Sequence, residues 1–554
     1  MTFDTLTNER AGLALLVLLG AGLLMAVTLL PAFPIDETRY LTVAWEMRVS
    51  GNWSLLTLNF EPYSHKPPLL FWLINASWSL FGVGVWQARL VGGAATAVTL
   101  FLVHRLEREL TAERSPGPAT SALLLAGLPL FLGLGFSIMF DMLLTATVAG
   151  AMLALWIAGR SGGWRAFAAY GACVGLGILA KGPVALLFTL PAALLSVYWI
   201  DPTQRAGWYR RVALSLSLAL FMGLSWALRA AYLGGPEFAE MLLWKQSAGR
   251  VASSFAHARP FWFYAPILLL LFAPLLVWRP LWTGLRSSLV SAFEPAQRFL
   301  LCCIAPAIAG LSLISGKQLH YLLPVVPAIA LLISLRLREI EPRPSDRLAW
   351  LAISCLLPIL LALASEFAAR DGLWVNTDNG VVPAIASTLD VPVVLLSGAL
   401  AVLVLFVWGT TLRGMLVGLA AANLILLTSV ALQSREILTR LFDLQPVADV
   451  IGPQRDHPVA VAQPSRGELG FLARLEKPVV YVPVEDIACW LARNPSGLAI
   501  VHDKLGSGEP SANATGGTIL YRKDYRSSQV ISVVTAAPAL AVVRSETRAS
   551  RPCG

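Results

Sequence analysis

Acidic and basic residues follow the first apolar stretch of the sequence and recur at later breaks between apolar stretches. The segments FPIDETRY (33–40) and YSHKPPL (63–69) come first, and MFD (139–141), AKGP (180–183) and SGKQLHYLLP (315–324) follow. Carboxylates, lysines and arginines together can bind anionic groups and stabilise charge that develops during a reaction. We expect these residues to form one rim lined for anionic chemistry: Asp36, Lys66, Asp141, Lys181, Arg250, His257, Lys317 and His320.

The composition defines the environment of this rim. The chain has 554 residues, of which 56% are hydrophobic and 14% are charged, and its mean hydropathy is +0.67. A water-soluble domain of this length does not tolerate such values, so the sequence predicts a membrane protein. The first apolar run, 11–31, spans about 20 residues, and the basic bias of a signal peptide does not precede it. We expect it to be a retained anchor.

Apolar runs separated by Pro, Gly or charged residues predict about thirteen membrane spans. The further spans are expected near 86–104, 119–136, 140–159, 165–180, 182–200, 210–232, 261–279, 298–315, 320–337, 346–367, 390–411 and 414–432.

Arginine-rich loops orient these spans. With the N-terminus inside, most of the predicted inner loops carry two to four arginines, as in 104–115, 201–211 and 336–347. These arginines account for the net charge of +9, and we therefore expect no nucleic-acid partner. An odd number of spans leaves the C-terminal tail outside.

The tail differs in character from the rest of the chain. Short β-type runs (HPVAVAQ, KPVVYVPV, GLAIVHD and GTILYRKD) alternate with the helix-like stretches RGELGFLARL and VEDIACWLARN. The sequence thus predicts an all-α polytopic membrane domain over 1–440 and a small α/β domain over 441–554. The outer loop 32–85 is expected to hold juxtamembrane helices.

Three classes of membrane protein are compatible with this layout: an enzyme acting on a lipid-linked substrate, a transporter or lipid flippase, and a scaffold. Transporters place ionisable groups at mid-membrane and often carry internal repeats. The predicted spans are almost free of charge and we detect no repeat, which favours the enzyme.

The motifs resemble those of a known family. DETRY after the first span, the KPP segment, the AKGP turn, the WKQSAGR loop and the K-x-x-x-Y-x-L-P ending are similar to the GT-C glycosyltransferase superfamily, in its protein O-mannosyltransferase-like branch, and within it to bacterial lipid A aminoarabinose transferases. The similarity extends to about residue 330. The chain departs from the pattern at Ile35 and His65, where the family has Pro and Glu.

The resemblance implies a substrate pair and a location. The donor would be 4-amino-4-deoxy-L-arabinose on undecaprenyl phosphate, and the acceptor a phosphate of lipid A, which gives polymyxin and cationic peptide resistance. The protein would lie in the bacterial inner membrane, with its active site and C-terminal domain facing the periplasm. We expect a monomer that contacts membrane lipids. A related enzyme moving mannose or another sugar to protein or lipid is the main alternative.

The resemblance also implies residue roles. The carboxylates Asp36 and Asp141 would stabilise the cationic sugar, although each could instead be a helix cap. Phosphate contacts are expected from Lys66, Arg250 and Lys317, for which the alternative is ordinary lipid headgroup binding. Lower-ranked substrate contacts are Arg39, Tyr40, Tyr63, His257 and Tyr321.

No cofactor is required by this chemistry, because lysine and arginine can neutralise a lipid monophosphate. The candidate ligands for a bound divalent metal are His65, Glu61 and His257, three residues without the close i, i+4 spacing of a histidine pair. Cys489 and Cys553 in the tail could pair in an oxidising compartment.

Overall fold

The structure is a computed structural model. It describes residues 3–111, 119–245, 259–272, 293–337, 388–408, 411–464, 467–504, 517–526 and 529–536, together with Arg279, Trp282, Thr283, Arg343, Ser345, Asp346, Leu363 and Thr515.

Helices dominate the described residues. They are α1 Phe3–Thr28, α2 Asp36–Ser50, α3 Leu69–Phe81, α4 Val85–Thr111, α5 Thr120–Ala126, α6 Pro129–Gly135, α7 Phe140–Ser161, α8 Trp164–Lys181, α9 Ala185–Leu194, α10 Trp208–Glu240, α11 Tyr264–Leu271, α12 Pro295–Leu313, α13 Val326–Leu337, α14 Val391–Trp408, α15 Leu412–Phe442, α16 Gln445–Ile451 and α17 Ile487–Arg493.

Five of the described helices are long and apolar enough to cross a membrane, namely α4, α7, α10, α12 and α15. Other apolar helices, α3, α9 and α13 among them, are shorter. The predicted span near 346–367 lies almost wholly outside the described residues.

Three predicted spans are wrong as single helices, and one of them, 320–337, holds a 3₁₀ turn at Leu319–Leu322 before the twelve-residue α13. The stretch 119–136 forms α5 and α6, because Leu128 is extended and Pro129 starts a new helix. The stretch 182–200 holds only the ten-residue α9, which contains Pro191 and is followed by a short 3₁₀ turn.

The described chain divides into two compact units. The first contains Met1–Thr28, Ser64–Ala362 and Asp390–Leu432, and the second contains Leu29–Tyr63, Leu363–Leu389 and Gln433–Gly554. The predicted boundary at residue 440, between the membrane domain and the C-terminal α/β domain, stays a prediction.

The second unit contains a five-stranded sheet, and the four predicted β-type runs each contribute a strand: β3 Val459–Val461, β4 Val480–Tyr481, β5 Leu498–Lys504 and β6 Thr518–Tyr525. The sequence missed the fifth strand, β7 Gln529–Thr535, which pairs antiparallel with β5 and β6. The strand order is β4-β3-β5-β7-β6, with β3 parallel to both of its neighbours. The predicted helix in RGELGFLARL is wrong, because Gly467–Leu475 forms successive turns.

Helix α2 also belongs to the second unit and lies in the outer loop 32–85, where the sequence predicts juxtamembrane helices. Its residues Leu41, Val43, Ala44 and Met47 are fully buried. Its polar side chains are used in packing as well, because Trp45 Nε1 donates to the Leu475 carbonyl at 2.8 Å. The segment after the first apolar run is therefore a structural part of the C-terminal unit.

A small antiparallel hairpin, β1 Thr57–Leu58 and β2 Glu61–Pro62, follows α2 in the same unit.

Candidate functional site

Asp141 is the centre of a polar cluster in the first unit. It lies in the first turn of α7 and is 3% exposed. Its carboxylate forms an ion pair with Lys181, and His320 Nε2 lies 3.9 Å from Asp141 Oδ2. The cap of α7 is Met139, and that cap receives no side-chain hydrogen bond. The alternative that Asp141 only caps the helix is therefore wrong.

Lys181 reaches Asp141 from the last turn of α8. The helix stops there because Gly182 has φ 82° and ψ −162°, a conformation that residues with a side chain rarely adopt, and Pro183 follows. A Cβ atom placed on Gly182 would lie 4.0 Å from Pro67 Cγ, so the AKGP turn runs beside the KPP segment.

The third contribution comes from the loop after α12. His320 and Tyr321 lie in a 3₁₀ turn, and their rings are nearly perpendicular with centroids 4.9 Å apart. Lys181 Nζ lies 4.5 Å from the centroid of the Tyr321 ring, which is a cation–π distance. Asp141, Lys181, His320 and Tyr321 thus form one group, which we call the Asp141 cluster.

Lys66 approaches the same helix terminus. Its Nζ lies 5.2 Å from the ring centroid of Phe140, the residue before Asp141, and Phe71 packs edge-on against that ring. Two ammonium groups therefore contact the N-terminal turn of α7, whose dipole is positive. Among the residues that the structure describes, Asp141 supplies a buried carboxylate to this group, while Lys181, Lys66 and the helix N-terminus are positive, a combination that favours an anion.

The ammonium group of Lys317 donates hydrogen bonds to backbone carbonyls. It is 3% exposed, and its Nζ donates to the Arg259 carbonyl at 3.1 Å and to the Ile314 carbonyl at the end of α12. Two of its three N–H groups are thereby occupied, and its role as a phosphate ligand stays a prediction.

Asp36 lies in the second unit, at the first residue of α2. Tyr40 donates its hydroxyl to Asp36 Oδ1 at 3.3 Å, and Arg39 lies 3.9 Å from the same oxygen. The Asp36 side chain is 61% exposed. The helix entry is closed instead by Glu37, whose carboxylate accepts from the Phe33 amide at 3.0 Å. The capping alternative for Asp36 is wrong as well.

The remaining candidates are less informative. Tyr63 is buried, and its amide donates to the Leu56 carbonyl, whereas Glu61 and His65 are exposed. Arg250 and His257 lie outside the described residues. Among the residues that the structure describes, no three His, Cys, Asp or Glu side chains are grouped as metal ligands. With His257 outside them, the possible metal stays a prediction. Cys489 is disulfide-bonded.

The structure therefore groups the predicted residues within each unit. Lys66, Asp141 and Tyr321 come together in the first unit, and Asp36, Arg39 and Tyr40 in the second. The sequence places Lys181 on the rim without assigning it a substrate contact, because a lysine at a helix end followed by Gly-Pro is also typical of a snorkelling side chain. The sequence links Lys181 to Asp141 only because both residues lie on the same predicted rim, at breaks between apolar stretches.

Comparison with known proteins gives first the class of fold. Residues 65–228 match the model of the family PMT_2, described as dolichyl-phosphate-mannose-protein mannosyltransferase. The crystal structure of ArnT from Cupriavidus metallidurans bound to undecaprenyl phosphate superimposes with a TM-score of 0.75 at 20% identity, over 94% of this chain and 97% of that one. The chain has this GT-C fold and is a multi-pass membrane protein, which confirms the predicted fold class.

The relatives found by sequence have more specific names than the matched family. The chain is 32% identical to undecaprenyl phosphate-alpha-4-amino-4-deoxy-L-arabinose arabinosyl transferase 1 of Pseudomonas fluorescens, over 54% of this chain and 52% of the relative. It is 30% identical to the corresponding transferase of Pseudomonas paraeruginosa, over 57% of each chain. The chain spans about half the length of the curated relatives it matches.

Proposed function

We propose that this protein is an integral membrane glycosyltransferase that moves 4-amino-4-deoxy-L-arabinose from undecaprenyl phosphate to a phosphate of lipid A. The observation that carries the proposal is the Asp141 cluster with Lys66 beside it, a cationic group built around one buried carboxylate at a helix N-terminus. The names of the relatives supply the sugar and the lipid carrier.

The leaving group explains the cations. When the glycosidic bond to undecaprenyl phosphate breaks, the phosphate gains negative charge, and a positioned cation stabilises that state more than the ground state. Lys181 and Lys66 would supply this charge. We propose a role for Asp141 beyond the sugar stabilisation expected from the sequence: through the ion pair, its carboxylate would hold the Lys181 ammonium in place.

Asp36 would contact the sugar. Its carboxylate is exposed, and Tyr40 and Arg39 restrict its orientation. A carboxylate in this setting can stabilise both the ammonium of the amino sugar and the positive charge that develops at the anomeric carbon.

The acceptor needs little activation. A phosphomonoester has a second pKa of about 6, so its oxygens are mostly ionised near pH 7. One such oxygen forms the new bond to the anomeric carbon while the bond to the lipid phosphate breaks, and no proton has to be removed first. Positioning and electrostatics are then the main catalytic terms, without a required metal.

Both substrates are lipids and reach the site from the bilayer. We place the protein in the bacterial inner membrane as a monomer, with the site and the C-terminal domain towards the periplasm, where lipid A is accessible. The Arg-rich connections between apolar helices support this orientation.

The test is mass spectrometry of lipid A from a deletion strain complemented with wild type, Lys66→Ala, Lys181→Ala or Asp36→Ala. Wild type should restore the aminoarabinose increment, and the three variants should not. Arg210→Ala, at an exposed position at the start of α10, is the control and should restore it. Restoration by all three site variants would contradict the assigned roles.

A second candidate follows from the family match. Residues 65–228 match a mannosyltransferase family, so transfer of mannose or a similar sugar to a protein is the alternative. Unchanged lipid A in every strain, together with loss of a glycosylated periplasmic protein in the deletion strain, would favour this alternative.

A further inference from the structure

A cavity of about 300 Å³ lies within the second unit, and its wall comes entirely from residues of that unit. Gln463 follows β3, and His502 lies on the neighbouring parallel strand β5. Phe60, Glu468, Tyr525 and Arg526 complete the part of the wall that matters here.

The sheet topology favours a ligand at this place. Strand β3 lies between β4 and β5, and all three are parallel. The chain leaves β3 towards β4 on one side and leaves β5 towards β6 on the other side. Adjacent parallel strands whose connections diverge leave a crevice at their carboxyl ends, which is where open α/β sheets bind ligands.

Unusual backbone conformations gather around the same cavity. Four described residues other than glycine have positive φ, and three of them line the cavity: Asn59 (57°), Phe60 (60°) and Arg526 (54°). Such conformations are uncommon for large side chains and are found at ligand sites more often than elsewhere.

The strained turn is held firmly. Glu46 accepts from the amides of Asn59 at 2.7 Å and Phe60 at 2.9 Å. The Asn59 side chain exchanges two hydrogen bonds with the backbone of Val479, at 2.7 and 3.0 Å. These bonds fix the backbone of the turn that brings Phe60 to the cavity wall.

The chemistry of the wall fits an uncharged polar ligand. Among the described lining residues, the charges of Glu46 and Glu468 balance those of Lys477 and Arg526. Burial raises the pKa of Glu46 and that of Tyr525, two residues of this wall. Gln463 and Gln529 contribute amide donors and acceptors to the wall, and Phe60 and Tyr525 contribute aromatic side chains.

Two nitrogen atoms of the wall residues have unmet hydrogen-bonding capacity. His502 Nδ1 and Arg526 Nε are buried and have no hydrogen-bond partner in the described part of the chain. Buried polar atoms are nearly always paired in native proteins, and an exception next to a cavity suggests a missing partner.

We propose that this cavity binds one sugar ring, with the rings of Phe60 and Tyr525 against its apolar face and the amide, carboxylate and imidazole groups on its hydroxyls. The volume is at the lower end of the range for ligand pockets, about 300–1,000 Å³, which suits a monosaccharide or a terminal sugar of a glycan. The site is independent of the proposed transfer reaction and would hold whether or not that reaction is correct.

The experiment is saturation-transfer NMR on the full chain in a detergent without sugar groups. One arm uses free N-acetyl-D-glucosamine and methyl β-D-glucopyranoside, and the other uses the deacylated sugar portion of lipopolysaccharide. We expect a saturation-transfer signal in at least one arm. A signal in the first arm indicates binding of a free monosaccharide, and a signal in the second indicates binding of a glycan terminus. Inorganic phosphate, measured by competition, should not displace the sugar.

Gln463→Trp fills the cavity from an exposed position and should weaken binding at least tenfold. Gln454→Trp is the matched control, since Gln454 does not line the cavity, and it should remain within twofold of wild type. Glu468→Gln provides a second variant with minimal change of shape and should weaken binding by about tenfold, the effect of one lost charged hydrogen bond. No signal in either arm, unchanged binding in both cavity variants, or displacement by phosphate would overturn the proposal.

Discussion

Asp141 and Lys181 illustrate how a buried ion pair acts at the scale of single residues. Both side chains are largely shielded, at 4% and 14% exposure. Forming such a pair adds little net stability, but removing one partner leaves an uncompensated charge. The pair therefore fixes a position rather than simply strengthening the fold.

Asp141→Asn should reduce kcat/KM for transfer from the lipid-linked donor by about 10²–10³-fold, because Lys181 loses the group that orients it. Lys181→Met should cause a similar loss, and the double variant should be little worse than either single one. Asp486→Asn, at an exposed position of the second unit, is the control. Additive losses in the double variant would show that the two residues act separately.

His502 gives a pH-dependent prediction at the same scale. Burial lowers its pKa from the ordinary value of 6.5, so the folded state releases the proton before the unfolded state does. Its contribution to stability is then complete above pH 6.5 and is lost as the pH falls through the lowered pKa. His502→Gln should flatten the fall in melting temperature between pH 7 and pH 5, measured by differential scanning fluorimetry. An unchanged pH dependence would contradict this prediction.

The sequence does not predict which side chains of the site pair with one another. Asp141, Lys66 and Tyr321 were predicted because they stand at breaks between apolar runs. That Asp141 pairs with Lys181 depends on how α7 and α8 pack, and no local pattern encodes it. The orientation of Tyr40 towards Asp36, by contrast, follows from helical spacing of four residues.

The AKGP turn ends helix α8 and thereby sets the position of Lys181. Gly182 has a backbone conformation that is close to exclusive to glycine, so the turn depends on this residue.

Gly182→Ala should lower the free energy of unfolding by about 1–3 kcal/mol and should also lower transfer activity, since the strain would displace Lys181. Gly133→Ala is the matched control, because no atom lies within 4 Å of a Cβ placed there. Thermal unfolding in detergent and a transfer assay measure the two effects. Equal behaviour of the two variants would argue against the role of the turn.

The hairpin at Asn59 is the second element whose stability can be tested. Asn59→Ala removes both hydrogen bonds to Val479 and should destabilise the second unit by about 1–3 kcal/mol. Asn59→Asp keeps the acceptor and a tolerance for positive φ, and should cost less. Protease sensitivity of the second unit reports the effect. The reverse ranking of the two variants would exclude these bonds as its cause.

Elements were predictable wherever a single physical signal dominated. Long apolar runs predicted α4, α7 and α12, whereas Pro129 divided a run that was long enough to span the membrane. The sequence does not predict strand β7 separately. QVISVVT begins shortly after β6 ends, and the apolar residues that follow it give no clear sign of where the strand stops. The turns at Gly467–Leu475 form in place of a helix despite the helical composition of RGELGFLARL, because their backbone bonds with Thr42 in a distant segment.

The proposed chemistry makes a prediction for the whole molecule. Because lysines would neutralise the leaving phosphate, treatment with EDTA followed by buffer exchange should change kcat/KM by less than twofold. Inactivation that is reversed by adding Zn²⁺ or Mg²⁺ would show that a metal takes part, and would turn attention to His65, Glu61 and His257. Metal analysis of the purified protein provides the independent measurement.

The second unit is built from segments that are far apart in the chain, and this has a consequence for synthesis. Leu29–Tyr63 leaves the ribosome about 370 residues before Gln433, where the main part of that unit begins. At roughly 5–20 residues per second, this segment waits at least about 20–75 s for the turns at Gly467–Leu475 that bond to α2. Throughout that interval the nascent chain holds α2 without the segment against which its apolar residues Leu41, Val43 and Met47 are buried, which makes the unfinished protein a client for chaperones.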